Sequence, residues 1–240
     1  SSAASDVYKI QYIDNGSSVV MIDDEYGNRI AELNSNIKCI SLKNEDADYF
    51  CTSYSINSFG LAGTIAWDSE TLDFESNLIG SFNLENLILA ASIAIELNIS
   101  AQSIAKGIEN CTNIDGRLHL VENQKNQMIF LDYAHSPDAY FRTLKALEEN
   151  FNRPLKVLFG AGGGRDKSKR PKMAEVVEKY STECYLAPDN PRFEDIELIN
   201  NDVIKGFSNE NHHIFNDRKE TLKFALRNLK SDEILIIFGK

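Results

Sequence analysis

The spacing of apolar and polar positions changes its period partway along the chain, and the change divides it. In the first part, short β-branched and apolar runs predict strands at residues 19–22, 37–42, 49–56, 63–67 and 71–75. The first of these runs ends in Asp23 and Asp24. The period then lengthens: Leu84, Leu87, Ile88, Ala91 and Ile95 recur three and four apart within residues 84–97, as one helix face requires. Ser100 caps a second helix that ends before Cys111, and these two helices close a first domain, 1–112.

Beyond residue 112 the rhythm is cleaner. Strands at 118–122 and 128–131 flank a polar Asn-Gln-Lys-Asn turn. Ser136, Pro137 and Asp138 then open a helix, because proline loses nothing at the first helical position and an acid suits the positive end of the helix dipole. The series continues as strand 155–159, helix 171–180, strand 183–186, helix 194–207, strand 212–215, helix 218–229 and strand 233–238. Such alternation predicts a doubly wound parallel sheet for the second domain, 113–240, in an α/β protein.

Composition narrows the function classes. With 25 basic and 36 acidic residues the formal charge is −11, which argues against a nucleic-acid binder held by bulk charge. The most apolar stretch, 87–95, is less than half of the roughly 20 residues that cross a bilayer. A soluble, cytoplasmic chain without membrane insertion is expected, and a monomer. Cys39, Cys51, Cys111 and Cys184 are scattered without a CxxC pair and read as buried or inert thiols. The chain starts at Ser1 without an initiator methionine and stops at Lys240, directly after a buried-looking strand; both ends read as cut.

In open α/β sheets ligands sit beyond the carboxyl ends of the strands, where loops and helix amino-termini bring unpaired N–H groups together. Three strands of this chain run into unusual residues there. The strand at Met128 leads to Asp132, Tyr133, Ala134 and His135, the strand at Leu155 to the glycine-rich residues 160–165, and the strand at Glu183 to Asp189, Asn190, Pro191 and Arg192. The glycines let backbone approach a ligand, and Arg165, Lys167, Lys169, Arg170 and Lys172 form a positive patch on an acidic protein. An anionic ligand fits that patch; a solvated basic helix start is the plainer alternative, and residues 160–165 do not satisfy G-x-G-x-x-G. Arg192, on a proline-stiffened turn, offers a planar donor fork for a carboxylate beside Asn190, which both donates and accepts; an Asx turn with a surface arginine is the alternative. Asp132 either accepts from ribose hydroxyls or caps the following turn, and His135 is a base, a phosphate ligand or a structural hydrogen-bonder. His212 and His213 lack the neighbours a metal site needs, so no metal ligand is assigned, and no catalytic residue either.

Residues 80–86 (Gly-Ser-Phe-Asn-Leu-Glu-Asn), Gly116-Arg117, residues 132–138, residues 160–171 and Asp189-Asn190-Pro191-Arg192 stand in the order and approximate spacing of the Mur ligases. The chain resembles that family from about residue 19 onward, most of all its MurE branch, and Asp-Asn-Pro-Arg resembles the motif of members that add meso-diaminopimelate rather than lysine. The resemblance implies part of a central ATP-binding domain followed by a Rossmann-like domain that binds the incoming amino acid and closes over ATP. It also implies the reaction: ATP phosphorylates a carboxylate of UDP-N-acetylmuramoyl-L-alanyl-D-glutamate (UDP-MurNAc-dipeptide), and the amine of diaminopimelate attacks the acyl phosphate, with Mg2+ offsetting phosphate charge. By similarity, Asn83 and Asn86 lie near adenine, Arg117 and Asp132 approach the phosphates and ribose, and Arg165, Asp189, Asn190, Pro191 and Arg192 form the diaminopimelate site.

The departures carry information too. The family's glycine-rich phosphate loop ending in Lys-Ser/Thr does not occur in these residues, Gly164 stands where the family usually has aspartate, which is expected to loosen the support of Arg165, and Ser136 stands where threonine is common. Two rival readings are a folylpolyglutamate-synthetase-like ligase and a non-catalytic module that binds an amino acid or a nucleotide. Without the phosphate loop, these residues alone are expected not to catalyse ligation. Incubated with ATP, magnesium, the UDP-MurNAc-dipeptide and diaminopimelate, the chain should release no inorganic phosphate, and clear turnover would refute that.

Overall fold

The computed structural model describes residues 18–239. The chain forms two compact units that divide between Thr112 and Asn113.

The first unit is built on a five-stranded sheet in sequential order: β1 (Ser18–Met21), β2 (Ile37–Ser41), β3 (Tyr49–Asn57), β4 (Gly60–Trp67) and β5 (Glu70–Ser76). The first three strands run parallel and the last three form an antiparallel meander. Helices α2 (Ser81–Glu96) and α3 (Ala101–Asn110) supply the remaining core. The period-3.6 stripe does what it predicts: Leu84, Leu87, Ile88 and Ala91 are buried with Ile40, Ile65 and Phe74 in one apolar cluster. Ser100 caps α3 by accepting the Ser103 N–H.

One element was not anticipated. Helix α1 (Glu25–Ala31) follows β1, capped by Asp24, whose carboxylate accepts the Gly27 N–H at 2.8 Å. It buries only Gly27, so it has no apolar stripe for periodicity to detect, and its sole local signal is that capping aspartate.

The second unit holds a six-stranded sheet made of β6 (His119–Leu120), β7 (Met128–Asp132), β8 (Leu155–Phe159), β9 (Glu183–Leu186), β10 (His212–Ile214) and β11 (Ile234–Phe238). Its order is β10-β9-β8-β11-β7-β6, parallel throughout except for the short edge strand β6. Helices α4 (Pro137–Phe151), α5 (Lys169–Tyr180), α6 (Ile196–Ile204) and α7 (Arg218–Arg227) connect these strands. The expected strand 118–122 shrinks to two residues, and Leu118 at its start has a φ of 46° that no strand accommodates. The helices expected at 171–180 and 194–207 begin instead at Lys169 and Ile196, the second capped by Asp195.

Alternate residues of the parallel strands pack on opposite faces. Ile129, Leu158, Tyr185 and Leu235 join Ala225 of α7 and Leu229 on one side. On the other, Tyr140 of α4 stacks on Phe238 with ring centroids 4.1 Å apart and meets Phe159 edge-on at 6.0 Å. Since β11 inserts between β8 and β7, the strand order reverses beside it, and the loops after β7, β8, β9 and β11 share one rim.

The opposite end of this sheet is closed by charge. Lys156, near the start of β8 and only 6% exposed, meets Glu183 at 2.8 Å, Glu233 at 3.2 Å and the Asn228 carbonyl at 3.0 Å. Burial pushes the Lys156 pKa down, but the two carboxylates outweigh it and leave the pKa above its ordinary 10.5. Burial would raise the Glu183 pKa, but the bonds from Lys156 and His213 outweigh it and leave it below its ordinary 4.5. The Glu183 contribution is complete above 4.5 and is lost as pH falls through the folded value, while that of Lys156 is complete below 10.5 and is lost as pH rises past it. Lys156→Met should therefore cost about 3 kcal/mol near neutrality, and this difference from the parent should shrink as pH falls through the folded Glu183 value. Urea denaturation of both proteins across the acid range checks it; a pH-independent difference would contradict the charge account.

Candidate functional site

The glycine loop after β8 and the proline turn after β9 are cross-linked. Gly163 donates its N–H to the Asn190 carbonyl at 2.9 Å, and Arg192 returns a guanidinium bond to the Gly163 carbonyl at 2.5 Å. Gly163 must be glycine here, since a Cβ would stand 2.0 Å from the Pro191 carbonyl oxygen. Gly164 has φ +62°, and a Cβ there would stand 3.1 Å from Cδ of Arg192. That position is held by its backbone, because the Gly164 N–H donates to Oε1 of Glu194 at 2.6 Å.

Arg192 itself has φ +52°, in the left-handed region, and its N–H donates to Oδ1 of Asn190 at 3.2 Å. The Asx turn therefore exists, and it aims the arginine back over the glycine loop. Arg192 and Arg165 line one cavity of about 440 Å³ together with Asp189, Asn190 and Arg117. Tyr133, His135 and Lys169 form another part of its wall. Asp189 contributes an acid to this basic surface, and a Cβ on Gly239 would lie 3.5 Å from its Oδ2 and 3.7 Å from Nη2 of Arg218. Arg218 donates to the Phe238 carbonyl at 2.7 Å, at the end of β11. Burial lowers its pKa, against the pull of Asp189.

Four expected residues differ in placement from the rest. Asp132 does not line the cavity: at 4% exposed, its carboxylate accepts the N–H groups of Leu118 at 2.8 Å and Ala134 at 2.7 Å, which fits the turn-capping alternative. Burial raises its pKa, opposed by those two bonds and by Arg117. Pro191 is likewise absent from the wall and stiffens the turn. Asn83 and Asn86 belong to the first unit, on the first turns of α2; Asn83 is buried with its amide donating to the Ile79 carbonyl at 2.8 Å, and Asn86 is exposed. His135 is exposed on the cavity wall with Nδ1 3.2 Å from the Tyr133 carbonyl, a contact that suits a proton on Nδ1.

The positive patch also needs correction. Arg170 is 1% exposed and lies inside the fold, with Nη1 on Asp202 at 3.0 Å and Nη2 on both Glu194 oxygens at 3.1 and 3.0 Å and on the Gly162 carbonyl at 3.2 Å. Lys167 reaches Glu194 at 3.3 Å. Glu194 was not anticipated at all, because nothing in the spacing of Arg170 and Glu194 along the chain joins them; only the adjacency of β8 and β9 does. What remains on the cavity side is a set of guanidinium and ammonium donors with one carboxylate and one amide, suited to a zwitterionic or anionic ligand.

Comparison with known proteins accords with this geometry. The family model for the Mur ligase glutamate ligase domain matches residues 116–240, and that for the Mur ligase middle domain matches residues 10–94. A UDP-N-acetylmuramoyl-L-alanyl-D-glutamate--2,6-diaminopimelate ligase of Clostridium acetobutylicum is 32% identical over 93% of this chain and 47% of its own. The ligase of the same name from Fusobacterium nucleatum is 34% identical over 95% of this chain and 47% of its own. A solved structure of such a ligase, 30% identical, matches with a TM-score of 0.59 over 92% of this chain and 47% of that one. A folylpolyglutamate synthase from Mycobacterium tuberculosis, solved with ADP, is 15% identical with a TM-score of 0.74 over 94% of this chain and 53% of that one, a likeness of fold alone. The chain spans about half the length of the curated relatives it matches. Two family models in tandem and the shared α/β architecture lead to one conclusion: this chain belongs to the Mur ligase family, comprising part of its middle domain followed by its C-terminal domain.

Proposed function

We propose that this chain is the amino-acid-binding half of an ATP-dependent ligase that joins meso-diaminopimelate to UDP-N-acetylmuramoyl-L-alanyl-D-glutamate in peptidoglycan synthesis. The observation that carries the reading is the gathering of Arg165, Asp189, Asn190 and Arg192 on one cavity wall. Diaminopimelate has two zwitterionic ends, so its site needs guanidinium forks for carboxylate and an acid for ammonium, and both kinds of group are present. The relatives named for this activity, 30–34% identical over most of the chain, support the same reading.

In this reading Arg192 and Arg165 grip a carboxylate, Asn190 bonds the same end, and Asp189 accepts from an ammonium. Arg117 and His135 stand elsewhere on the wall, where an arginine suits a nucleotide phosphate. Asn83 and Asn86 are assigned to adenine by resemblance alone. Binding fixes the amine for attack, which is the share of the barrier that positioning supplies. ATP supplies the phosphoryl group that turns a carboxylate into an electrophile. The magnesium that the resemblance implies is proposed to offset phosphate charge, and no residue of this chain is assigned to it. No described helix is long and apolar enough to cross a membrane. The whole enzyme is proposed to be a cytoplasmic monomer that serves cell-wall growth, cell shape and division.

In the intact enzyme, Arg192→Ala should raise the diaminopimelate KM at least about tenfold, through the loss of a charge-assisted fork, and leave the ATP KM nearly unchanged. Steady-state kinetics with each substrate varied in turn checks this; equal losses for both substrates would sink the assignment.

A further inference from the structure

The carboxylate of Glu194 has three partners drawn from one loop and the start of one helix. It accepts the Gly164 N–H, meets Arg170 with both oxygens and lies 3.3 Å from Lys167. The N–H of Glu194 meanwhile bonds the Pro191 carbonyl at 2.9 Å, which closes the turn that carries Arg192. Arg170 continues the chain of contacts to the Gly162 carbonyl. Arg192 then bonds Gly163, the residue between the two that Arg170 and Glu194 grip.

We propose that Glu194 and Arg170 are positioning residues that set the Arg192 fork for the carboxylate of the incoming amino acid by locking the glycine loop to the proline turn. This rests on the reading of the cavity as an amino-acid site. Neither residue lines the cavity, so they act through Arg192 and not on the ligand. Arg192 occupies a left-handed backbone conformation that a non-glycine side chain rarely adopts, and surrounding structure must hold it there. The Asn190 side chain and the Glu194 N–H close that turn, and the Glu194 carboxylate ties the glycine loop to it. That carboxyl also lies below the ordinary 4.5, chiefly through the Gly164 N–H bond, so it stays ionised in neutral solution.

The fold provides an internal control. Asp202 is the other carboxylate on Arg170, at 3.0 Å, and its second bond is to Lys205 on its own helix side; it touches neither loop. Glu194→Gln and Asp202→Asn each leave Arg170 with a single carboxylate, so a purely structural role predicts equal consequences. The positioning role predicts a split.

In the intact enzyme both variants should lower the melting temperature to a similar extent. Only Glu194→Gln should raise the diaminopimelate KM, by about tenfold, since misplacing a binding group by a fraction of an ångström is enough to do so. The ATP KM should stay as in the parent. Amide hydrogen exchange at Gly163 and Gly164 without any ligand should quicken in Glu194→Gln and not in Asp202→Asn. Should Glu194→Gln fail to fold, Glu194→Asp, whose shorter arm keeps the charge but cannot span the same partners, carries the same expectations. The proposal is overturned if the KM and the glycine exchange rates move alike in the Glu194 and Asp202 variants, or if neither moves. If Arg192→Ala leaves the diaminopimelate KM intact, the amino-acid reading of the cavity fails instead, whatever the exchange rates do.

Discussion

A guanidinium taken almost wholly out of water is the constraint on which this rim depends. Arg170 is 1% exposed, and a buried cation is tolerable only where carboxylates and carbonyls replace its hydration. Glu194, Asp202 and the Gly162 carbonyl do that on two of its nitrogens, while Nε lies buried without a partner. The planar fork cannot rotate to improve one bond without losing another. The loop after β8 and the turn after β9 are thereby fixed against each other, although neither offers a stretch of apolar side chains that could pack.

The two ends of the sheet in the second unit use charge in opposite ways. At the amino ends of the strands, Lys156 closes on Glu183 and Glu233, all three substantially buried, and the group is saturated. At the carboxyl ends, Arg117, Arg165 and Arg192 face a cavity that has fewer acids than bases. On a chain with a formal charge of −11, such a local excess of donors is unusual, and it is where an anionic or zwitterionic ligand finds the favourable field. Tyr140 ties core to rim: its ring stacks on Phe238 and its hydroxyl lies 3.4 Å from the Gly160 carbonyl.

The chain's membership of the Mur ligase family is consistent with the proposal that this cavity holds an amino acid still while the carboxylate it joins is activated. Gly164 stands where the family usually has aspartate, and its loop is held without that side chain. The support comes through the backbone N–H to Glu194, and the absence of a side chain leaves room for Cδ of Arg192.

The amphipathic stripe of α2, the apolar runs of β8 and β11, and the caps Ser100 and Ser136 were legible because they are local: period and capping chemistry act within one or two helical turns. The motif residues at the strand ends were legible for the same reason, because a doubly wound sheet sends the ends of its parallel strands to one side whatever their order. Helix α1 escaped because it buries a single glycine and leaves no stripe to read. Arg170 was read as part of a positive patch, Asp132 was left between a ribose ligand and a turn cap, and Glu194 was given no role, because such roles depend on which strand lies beside which. The sequence by itself determined the alternating elements, the division near residue 112 and the residue types that reach the rim. The tertiary structure alone decided which charges are buried with partners and which face the cavity, because burial and pairing are properties of neighbours far apart along the chain.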